Sequence, residues 1–504
     1  MTNHSAKFKI KDMDISSGAP LVAIINKRDA ERLDLHPLDR VKIKKGKQVE
    51  TVVIDIAEST KAVKPGYIGV LEEVIKSLNL KPADKVSITL ARKPLSLEFI
   101  KKKLDGKKLN AKEIDQIVWD IVHNKLSDVE LTYFVSACYT NVMDFDETIM
   151  LTKSIVKHGT TLNLRKYPII DKHSIGGVPG NRTTMLIVPI IAAAGLDIPK
   201  TSSRSITSPA GTADTMEVLA DVSFSVEKMK KIVEKTKGCI VWGGALNLAP
   251  ADDKIIKVER PLSIDAESQL LASIMAKKLS VGSTHILIDI PTGKGSKIES
   301  HAKALKLKAQ FEIIARKLGR KIKVILTDGS QPIGNGIGPA LEARDVLDAL
   351  MNKNDPQDLK NKAVHMAGII LEMAGKARKG NGEKLALEIL ESGKAYKKMI
   401  EIIKAQNGKI TKPSQIKLGK HTYNYKSTKS GRIKNIDPMA ISHIARVAGA
   451  PIDKGAGVYL HHKKSDKVNK GDTLFTIYAE SNEKLRFAIE AIKNNDKKDI
   501  VWIK

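Results

Sequence analysis

Four short stretches of this chain concentrate side chains that bind and move charged groups. Residues 171–184 read DKHSIGGVPGNRTT, where Lys172, Ser174 and Thr184 supply donors around Gly176 and Gly177. Glycines there let backbone N–H groups approach a ligand with no Cβ in the way. A helix expected after Arg182 would add its positive N-terminal end. That is anion-binding chemistry, phosphate above all, although the G-x-x-x-x-G-K-[ST] loop is absent. The second stretch, KTSSRSITSPAGTADTMEVL at 200–219, sets Arg204 among the hydroxyls of Thr201, Ser202, Ser203, Ser205, Thr207, Ser208 and Thr212. Arginine grips phosphate with two parallel hydrogen bonds, and Thr212 or Asp214 is expected to cap a helix. In the third, ERPLSIDAESQLLASIMAKKL at 259–279, Asp265 and Gln269 share a helix face, as do Ser273 and Lys277. That spacing also describes ordinary surface ion pairs. The fourth, LIDIPTGKGSK at 287–297, is an apolar strand ending in a glycine-rich turn with Lys294 and Lys297. Open α/β sheets bind ligands at such strand ends, but no G-x-G-x-x-G fingerprint is present.

The elements that must position these stretches are legible in the pattern around them. Apolar strands alternating with helices, as in TTMLIVPIIAAAG, STHILIDIPTG and KIKVILTDG, predict an α/β sheet. Before it, RLDLHPLDRVKIK at 32–44 matches SLNLKPADKVSIT at 77–89 at a constant offset of 45 residues. Each copy reads as a short helix, a proline turn and an alternating strand, so two copies predict a small pseudo-symmetric β-barrel. In NAKEIDQIVWDIV, Asn110 precedes Glu113 as a capping box. Ile114, Ile117, Val118, Ile121 and Val122 then follow on one helical face. The expected architecture is a multidomain α/β protein. It comprises an N-terminal repeat β-barrel-like domain over 1–92 and a helical domain over 93–157, with 251–283 returning to it. An α/β phosphate-binding domain over 158–250 and 284–418 follows, then a C-terminal α+β domain over 419–504 with turns at Gly455, Gly457 and Gly471.

Composition narrows the class. With 504 residues, 42% apolar and 28% charged, the chain reads as soluble, globular and multidomain. No run reaches the ~18 apolar residues of a membrane span, and the N-terminus lacks a signal-peptide core, so a cytoplasmic location is expected. The two cysteines, Cys138 and Cys239, fit neither a disulfide framework nor a zinc site. A net charge of +28 is spread along the chain without an arginine-rich or aromatic-interleaved cluster. It reads as a lysine-rich surface that favours anionic substrates rather than as a nucleic-acid interface.

The motifs DKHSIGG, SSRSITSPAGTAD, ASIMAKKL, DIPTGKGSK and RVAGAPIDKGAGVYLHHK occur in this order over roughly residues 95–504. In this combination the chain resembles the thymidine and pyrimidine-nucleoside phosphorylase family. Its extra N-terminal repeat and its loops look like the archaeal branch that splits nucleoside 5′-monophosphates, AMP above all, into ribose 1,5-bisphosphate and free base. The resemblance implies that Lys172, Ser174, Thr184, Ser202 and Thr212 hold the attacking phosphate and that His173 lines the sugar. It also implies that Arg260, Ser273 and Lys277 contact the base, and that the active site lies between the helical and α/β domains. It implies no metal or cofactor, with inorganic phosphate as co-substrate and a homodimer or larger oligomer, the N-terminal repeat being a candidate for assembly.

Departures from the family pattern carry information. SRSITSPAGT stands where nucleoside phosphorylases have a GRGLGHTGGT-like loop, and Lys297 stands where they usually have an aromatic. GGVPGNRTT is one residue longer than its counterpart, which loosens the match at Thr184. The stretch between Arg260 and Ser273 is two residues shorter and carries Asp265. Extra hydroxyls with Arg204 and Lys297 suit a second anion, the 5′-phosphate. Asp265 suits an acid that protonates N7 of a departing purine, if burial raises its pKa. The expected substrate-binding residues are therefore Gly177, Ser203, Arg204, Ser205, Ile206, Thr207, Ser208, Thr212, Ser273, Lys277 and Lys297, with Asp265 and His173 catalytic. Rival readings are a plain nucleoside phosphorylase, an enzyme like anthranilate phosphoribosyltransferase, and a basic nucleic-acid scaffold. The second would need an acidic pair for magnesium pyrophosphate, and none is convincing.

Overall fold

The computed structural model describes residues 5–18, 21–82, 84–91, 93–164, 167–205, 208–259, 261, 266–353, 356–494 and 500–504. They form two compact units, Met1–Gly159 with Ala249–Ile274, and Thr160–Leu248 with Met275–Lys504.

The first unit opens with the repeat. Strands β1 (Ala6–Asp12), β2 (Val22–Asn26), β3 (Arg40–Lys45), β4 (Gln48–Ala57), β5 (Tyr67–Val70) and β6 (Lys85–Leu90) close a barrel in the order β1-β5-β2-β4-β3-β6. Helices α1 (Lys27–Leu33) and α2 (Glu72–Leu78) occupy equivalent places, each ended by a left-handed residue, Asp34 and Asn79. The aspartate after each proline then accepts a backbone N–H three residues back, Asp39 from His36 and Asp84 from Lys81, both at 2.8 Å. Ile24 pairs with Gly69 and Ile43 with Ile88, each residue facing its own repeat-mate. A pseudo-two-fold axis therefore passes through both pairs. Alternation along the strands buries Phe8, Ile25, Ile43, Ile54, Ile68 and Ile88 as the barrel core.

Four helices follow, α3 (Ser96–Leu104), α4 (Ala111–Val122), α5 (Asp128–Thr140) and α6 (Phe145–Lys157). Reciprocal capping boxes start the last three, at Asn110/Glu113, Ser127/Glu130 and Asp144/Glu147. Arg40 of the barrel pairs with Glu130 of α5.

In the second unit, β7 (Ile170–Ser174) begins the α/β layer, followed by α7 (Thr183–Ala193), β8 (Ile198–Ser202), α8 (Thr212–Glu217), α9 (Val226–Thr236) and β9 (Gly238–Trp242). The chain then returns to the first unit with α10 (Pro250–Glu259), whose Lys254 donates to the Ile121 and Val122 carbonyls at the end of α4, at 2.7 and 2.8 Å. Helix α11 (Glu267–Ser280) runs on into β10 (His285–Thr292), α12 (His301–Lys317) and β11 (Lys321–Asp328). Strands β11, β10 and β7 pair in parallel, as do β8 and β9, and a parallel bridge between Ile169 and Asp197 links the two sets. The segment TTMLIVPIIAAAG is the helix α7, the one expected after Arg182, and Thr183–Ala192 are all buried. Burial on every side removes the amphipathic period that separates a helix from a core strand.

A short β12 (Gly336–Ile337) leads to α13 (Pro339–Leu350), α14 (Gln357–Met373), α15 (Gly382–Glu391) and α16 (Lys394–Ala405), which pack around α7. The C-terminal part contains β13 (His421–Lys426), β14 (Gly431–Ile436), α17 (Pro438–Val447), β15 (Gly457–Leu460), β16 (Lys467–Val468), β17 (Thr473–Ala479), α18 (Asn482–Lys493) and β18 (Val501–Ile503). Its sheets run β12-β15-β17-β13 and β16-β14-β18. Gly471 lies in a turn, whereas Gly457 is the first residue of β15. Among the described residues no helix is long and apolar enough to cross a membrane, and no group of three metal-ligating side chains gathers.

Candidate active site

The carboxyl end of β7 places charge where a protein seldom tolerates it. Lys172 is 1% exposed. Its ammonium donates to hydroxyls, Thr183 Oγ1 at 2.9 Å and Thr184 Oγ1 at 3.4 Å. Burial, with Lys362, Arg182 and Lys278 nearby, lowers its pKa to about 7 despite Asp289. Both threonines open α7, whose first turn has no side-chain cap, leaving N–H groups there available to an anion.

Ser174, two residues on, donates to Asp289 Oδ2 at 2.9 Å and accepts from Asn181 Nδ2 at 3.4 Å. Asp289, buried on β10, also accepts from Thr327 Oγ1 at 2.5 Å and lies 3.2 Å from Lys362 Nζ. Burial works against its charge, but Lys362 and Lys172 hold its carboxyl below the usual range. Asp171, equally buried, lies 2.9 Å from Lys278 Nζ and 3.7 Å from Lys200 Nζ. Burial and Lys278 bring Lys200 down to about 7 as well. Four inward-held lysines, Lys172, Lys200, Lys278 and Lys362, thus face two buried aspartates. With all four protonated, the state an anion beside them favours, the cluster lacks two negative charges, the charge of a phosphate dianion.

His173 sits half-buried beside these lysines. Burial, then Lys278, Lys200, Lys172 and Lys277, hold its imidazole well below its ordinary value. It is a neutral hydrogen-bonding ring, suited to a sugar hydroxyl. At the end of β8, Ser202 has a buried Oγ with no hydrogen-bond partner among the described residues, a donor that a ligand could satisfy.

After Ser202 the chain forms a loop fixed from below. Asp214 accepts from the N–H groups of Ser205 at 2.7 Å and Gly211 at 2.9 Å. A Cβ on Gly211 would come within 2.6 Å of the Ser203 carbonyl oxygen. Arg182 ties down the far side, donating to the Ala210 carbonyl at 2.5 Å and to Thr212 Oγ1 at 3.4 Å while pairing with buried Glu342. Ser208 Oγ donates to the Ala210 carbonyl at 3.0 Å, and Ser205 Oγ donates to the Ser208 carbonyl. Ser203 opens this loop, where its carbonyl accepts from the Ala213 N–H at 3.3 Å.

Arg204 differs from its sequence-based expectation. Its guanidinium donates to both carboxylate oxygens of Glu217, at 2.7 and 2.5 Å, and to Asp214 at 3.2 Å, and stacks 4.9 Å from the Trp242 ring centre. The hydrogen bonds from Arg204 hold Glu217 at a pKa of about 2, and Lys454 adds an ion pair at 2.8 Å. With two carboxylates already engaged, Arg204 shapes the loop, and the loop's backbone is what it offers to a ligand.

Two glycine turns, one after β7 and one after β10, meet each other. Gly177 has φ +88°, and a Cβ there would lie 2.4 Å from the Lys297 backbone nitrogen. Lys297, exposed, follows β10. Ser273 and Lys277 are half-buried on α11 one turn apart, with Gln269 one turn earlier. Asp265, Arg260, Ile206 and Thr207 lie outside the described residues.

Sequence reading missed Thr183, Asp171, Asp289, Lys200, Lys278 and Lys362. A charged residue inside an apolar run, such as Asp289 in LIDIPTG, was the available signal. Such a residue is almost never fully buried unless it is paired.

Comparison with known proteins fits this geometry. Residues 166–396 match the family described as the glycosyl transferase family a/b domain, and residues 97–159 its helical bundle domain. Residues 432–497 match the pyrimidine nucleoside phosphorylase C-terminal domain. An AMP phosphorylase of Thermococcus kodakarensis is 51% identical over 484 residues, covering 96% of this chain and 95% of its own. Those of Pyrococcus furiosus and Methanococcus vannielii are 50% and 46% identical, each covering 95% of this chain and, respectively, 95% and 94% of their own. The crystal structure of anthranilate phosphoribosyltransferase from Thermus thermophilus superposes with a TM-score of 0.53 at 18% identity, covering 61% of this chain and 99% of that one, which is a likeness of fold. At half identity over nearly the full length of both partners, the chain belongs to the AMP phosphorylase family.

Proposed function

We propose that this enzyme splits AMP with inorganic phosphate, giving ribose 1,5-bisphosphate and adenine. The observation that carries the reading is the lysine cluster around β7, β8 and β10, drawn from β7, β8, α11 and α14, which when fully protonated is short of a dianion's charge. Phosphate is held by Lys172, Ser174, Ser202, Thr212 and the threonines that open α7, Thr184 and its neighbour Thr183. Its oxygen forms a bond to C1′ as the bond from C1′ to the base breaks, and its negative charge balances the oxocarbenium-like centre between them. Asp265 donates a proton to N7 of the departing purine, and His173 hydrogen-bonds the sugar. The 5′-phosphate takes the backbone of the Ser203–Ser208 loop, with Gly177, Thr212 and Lys297 alongside, while Ser273 and Lys277 serve the base. CMP and UMP are candidate substrates of the same chemistry. No metal or other cofactor is needed, the enzyme works in the cytoplasm, and it is a homodimer or larger, with the barrel contributing to assembly.

The test is free-base release from AMP, CMP, UMP, adenosine and thymidine, each with and without phosphate. Phosphate-dependent release from the monophosphates is expected; release from nucleosides alone would return the enzyme to the nucleoside phosphorylases. Asp265→Asn should bind AMP yet lose most turnover, and near-normal turnover would remove its acid role. Deleting 1–92 should reduce particle size in light scattering; an unchanged size would rule out assembly through the barrel.

A further inference from the structure

Gln269 has chemistry that the reading so far leaves unused. It lies in the first turn of α11 and is 3% exposed, and neither its Oε1 nor its Nε2 has a hydrogen-bond partner among the described residues. A carboxamide offers two donors and an acceptor. Burying such groups unpaired forfeits the hydrogen bonds they make in water, a penalty that an apolar side chain of similar size avoids. Retaining the amide at this cost makes sense if a ligand completes it.

Position along the helix says which ligand. At about 100° per residue, Gln269 and Lys277 fall roughly 40° to either side of Ser273, so the three form one strip. Ser268, whose buried hydroxyl is also unpartnered among the described residues, projects about 140° away from Ser273 and belongs to another face. The base contacts assigned to Ser273 and Lys277 therefore extend naturally one turn back.

We infer that Gln269 recognises the base, its Oε1 accepting from the exocyclic amine of adenine and its Nε2 donating to N1, the ring nitrogen on the amine's other side, which leaves N7 to Asp265. That pairing matches the carboxamide's donor and acceptor to an edge that presents one of each. The inference rests on the AMP reading above and makes Gln269 a specificity residue, with bond making left to the phosphate and Asp265.

The experiment compares AMP with purine riboside 5′-monophosphate, which carries hydrogen in place of the amine, using the full-length enzyme and Gln269→Leu. Wild type should prefer AMP by about 30-fold or more in kcat/KM, because a site built to bond an N–H rejects the analogue that lacks it. In Gln269→Leu the preference should shrink to within about threefold, with KM for phosphate unchanged and thermal stability equal or higher. Gln269→Glu, which keeps the acceptor, should retain part of the preference. A preference unaltered in Gln269→Leu overturns the inference, as does an equal loss on both substrates with lowered stability, the mark of a structural role. Wild type that releases no adenine from AMP would remove the underlying reading instead, so the two failures are distinguishable.

Discussion

Phosphate should carry a proton into this protein. In the empty chain Lys172 is held at a pKa of about 7 against the ordinary 10.5, chiefly by burial. At 1.36 kcal/mol per pH unit, the empty site disfavours the ammonium by roughly 5 kcal/mol. An anion beside Nζ reverses that penalty, so the complex keeps a proton that the empty site gives up. At pH 8 about nine-tenths of Lys172 is neutral before binding, and binding should take up close to one proton. Apparent phosphate affinity should then fall about tenfold per pH unit between pH 7 and 9, since only the protonated fraction is competent. Lys200, also at about 7, can steepen this. Calorimetric titration with inorganic phosphate at pH 8, in two buffers of different ionisation enthalpy, reads the proton count directly. Lys172→Met should abolish both the uptake and most of the affinity. No dependence on buffer in the wild type, or an unchanged Kd in Lys172→Met, would refute the reasoning. The same shift has a fixed sign for stability. Below pH 7 both folded and unfolded chains hold the proton, and the folded state bears the full penalty. As pH rises from 7 towards 10.5 the folded lysine discharges first, and the penalty is progressively lifted, so stability rises with pH across this window.

Other perturbations test the scaffold. Glu342→Gln leaves Arg182 buried without its carboxylate, and chemical denaturation should show a loss of about 3–5 kcal/mol. Gly177→Ala forces a Cβ against the Lys297 backbone at positive φ; the strain should cost about 1–3 kcal/mol and raise KM for AMP, and normal stability with normal kinetics would contradict the contact. Arg204→Ala frees the loop it shapes, so KM for AMP should rise about tenfold or more while KM for phosphate moves less than about threefold. Equal effects on both would instead make Arg204 part of the phosphate site.

What could be read without coordinates follows from local chemistry. The 45-residue repeat, the Asn110 capping box and the glycine turn at Gly177 declare themselves over a few neighbouring residues. The lysine cluster does not, because Lys200, Lys278 and Lys362 come from separate elements and meet only when the sheet assembles. Arg204 shows what local reading leaves out: its type and company are those of an anion ligand, and only the fold brings Glu217 and Asp214 of the next helix into ion pairs with it. The α7 run shows no helical period, because a helix buried on all sides leaves no polar face to betray it; only the chemistry of its start after Arg182 points to a helix.

The barrel's self-facing pairs have a consequence for its origin and its cost. Where Ile43 meets Ile88 and Ile24 meets Gly69, a homodimer of forty-five-residue halves would place one residue type against itself across a true rotation axis. Fusion of two such halves into one chain removes the dependence of folding on protein concentration. It also releases the two positions on each axis from having to be identical. Gly69 is where the copies differ: a side chain there would meet Met13 Sδ at 2.8 Å and Val63 Cγ2 at 3.0 Å, so one copy carries isoleucine while the other leaves its space to these two side chains.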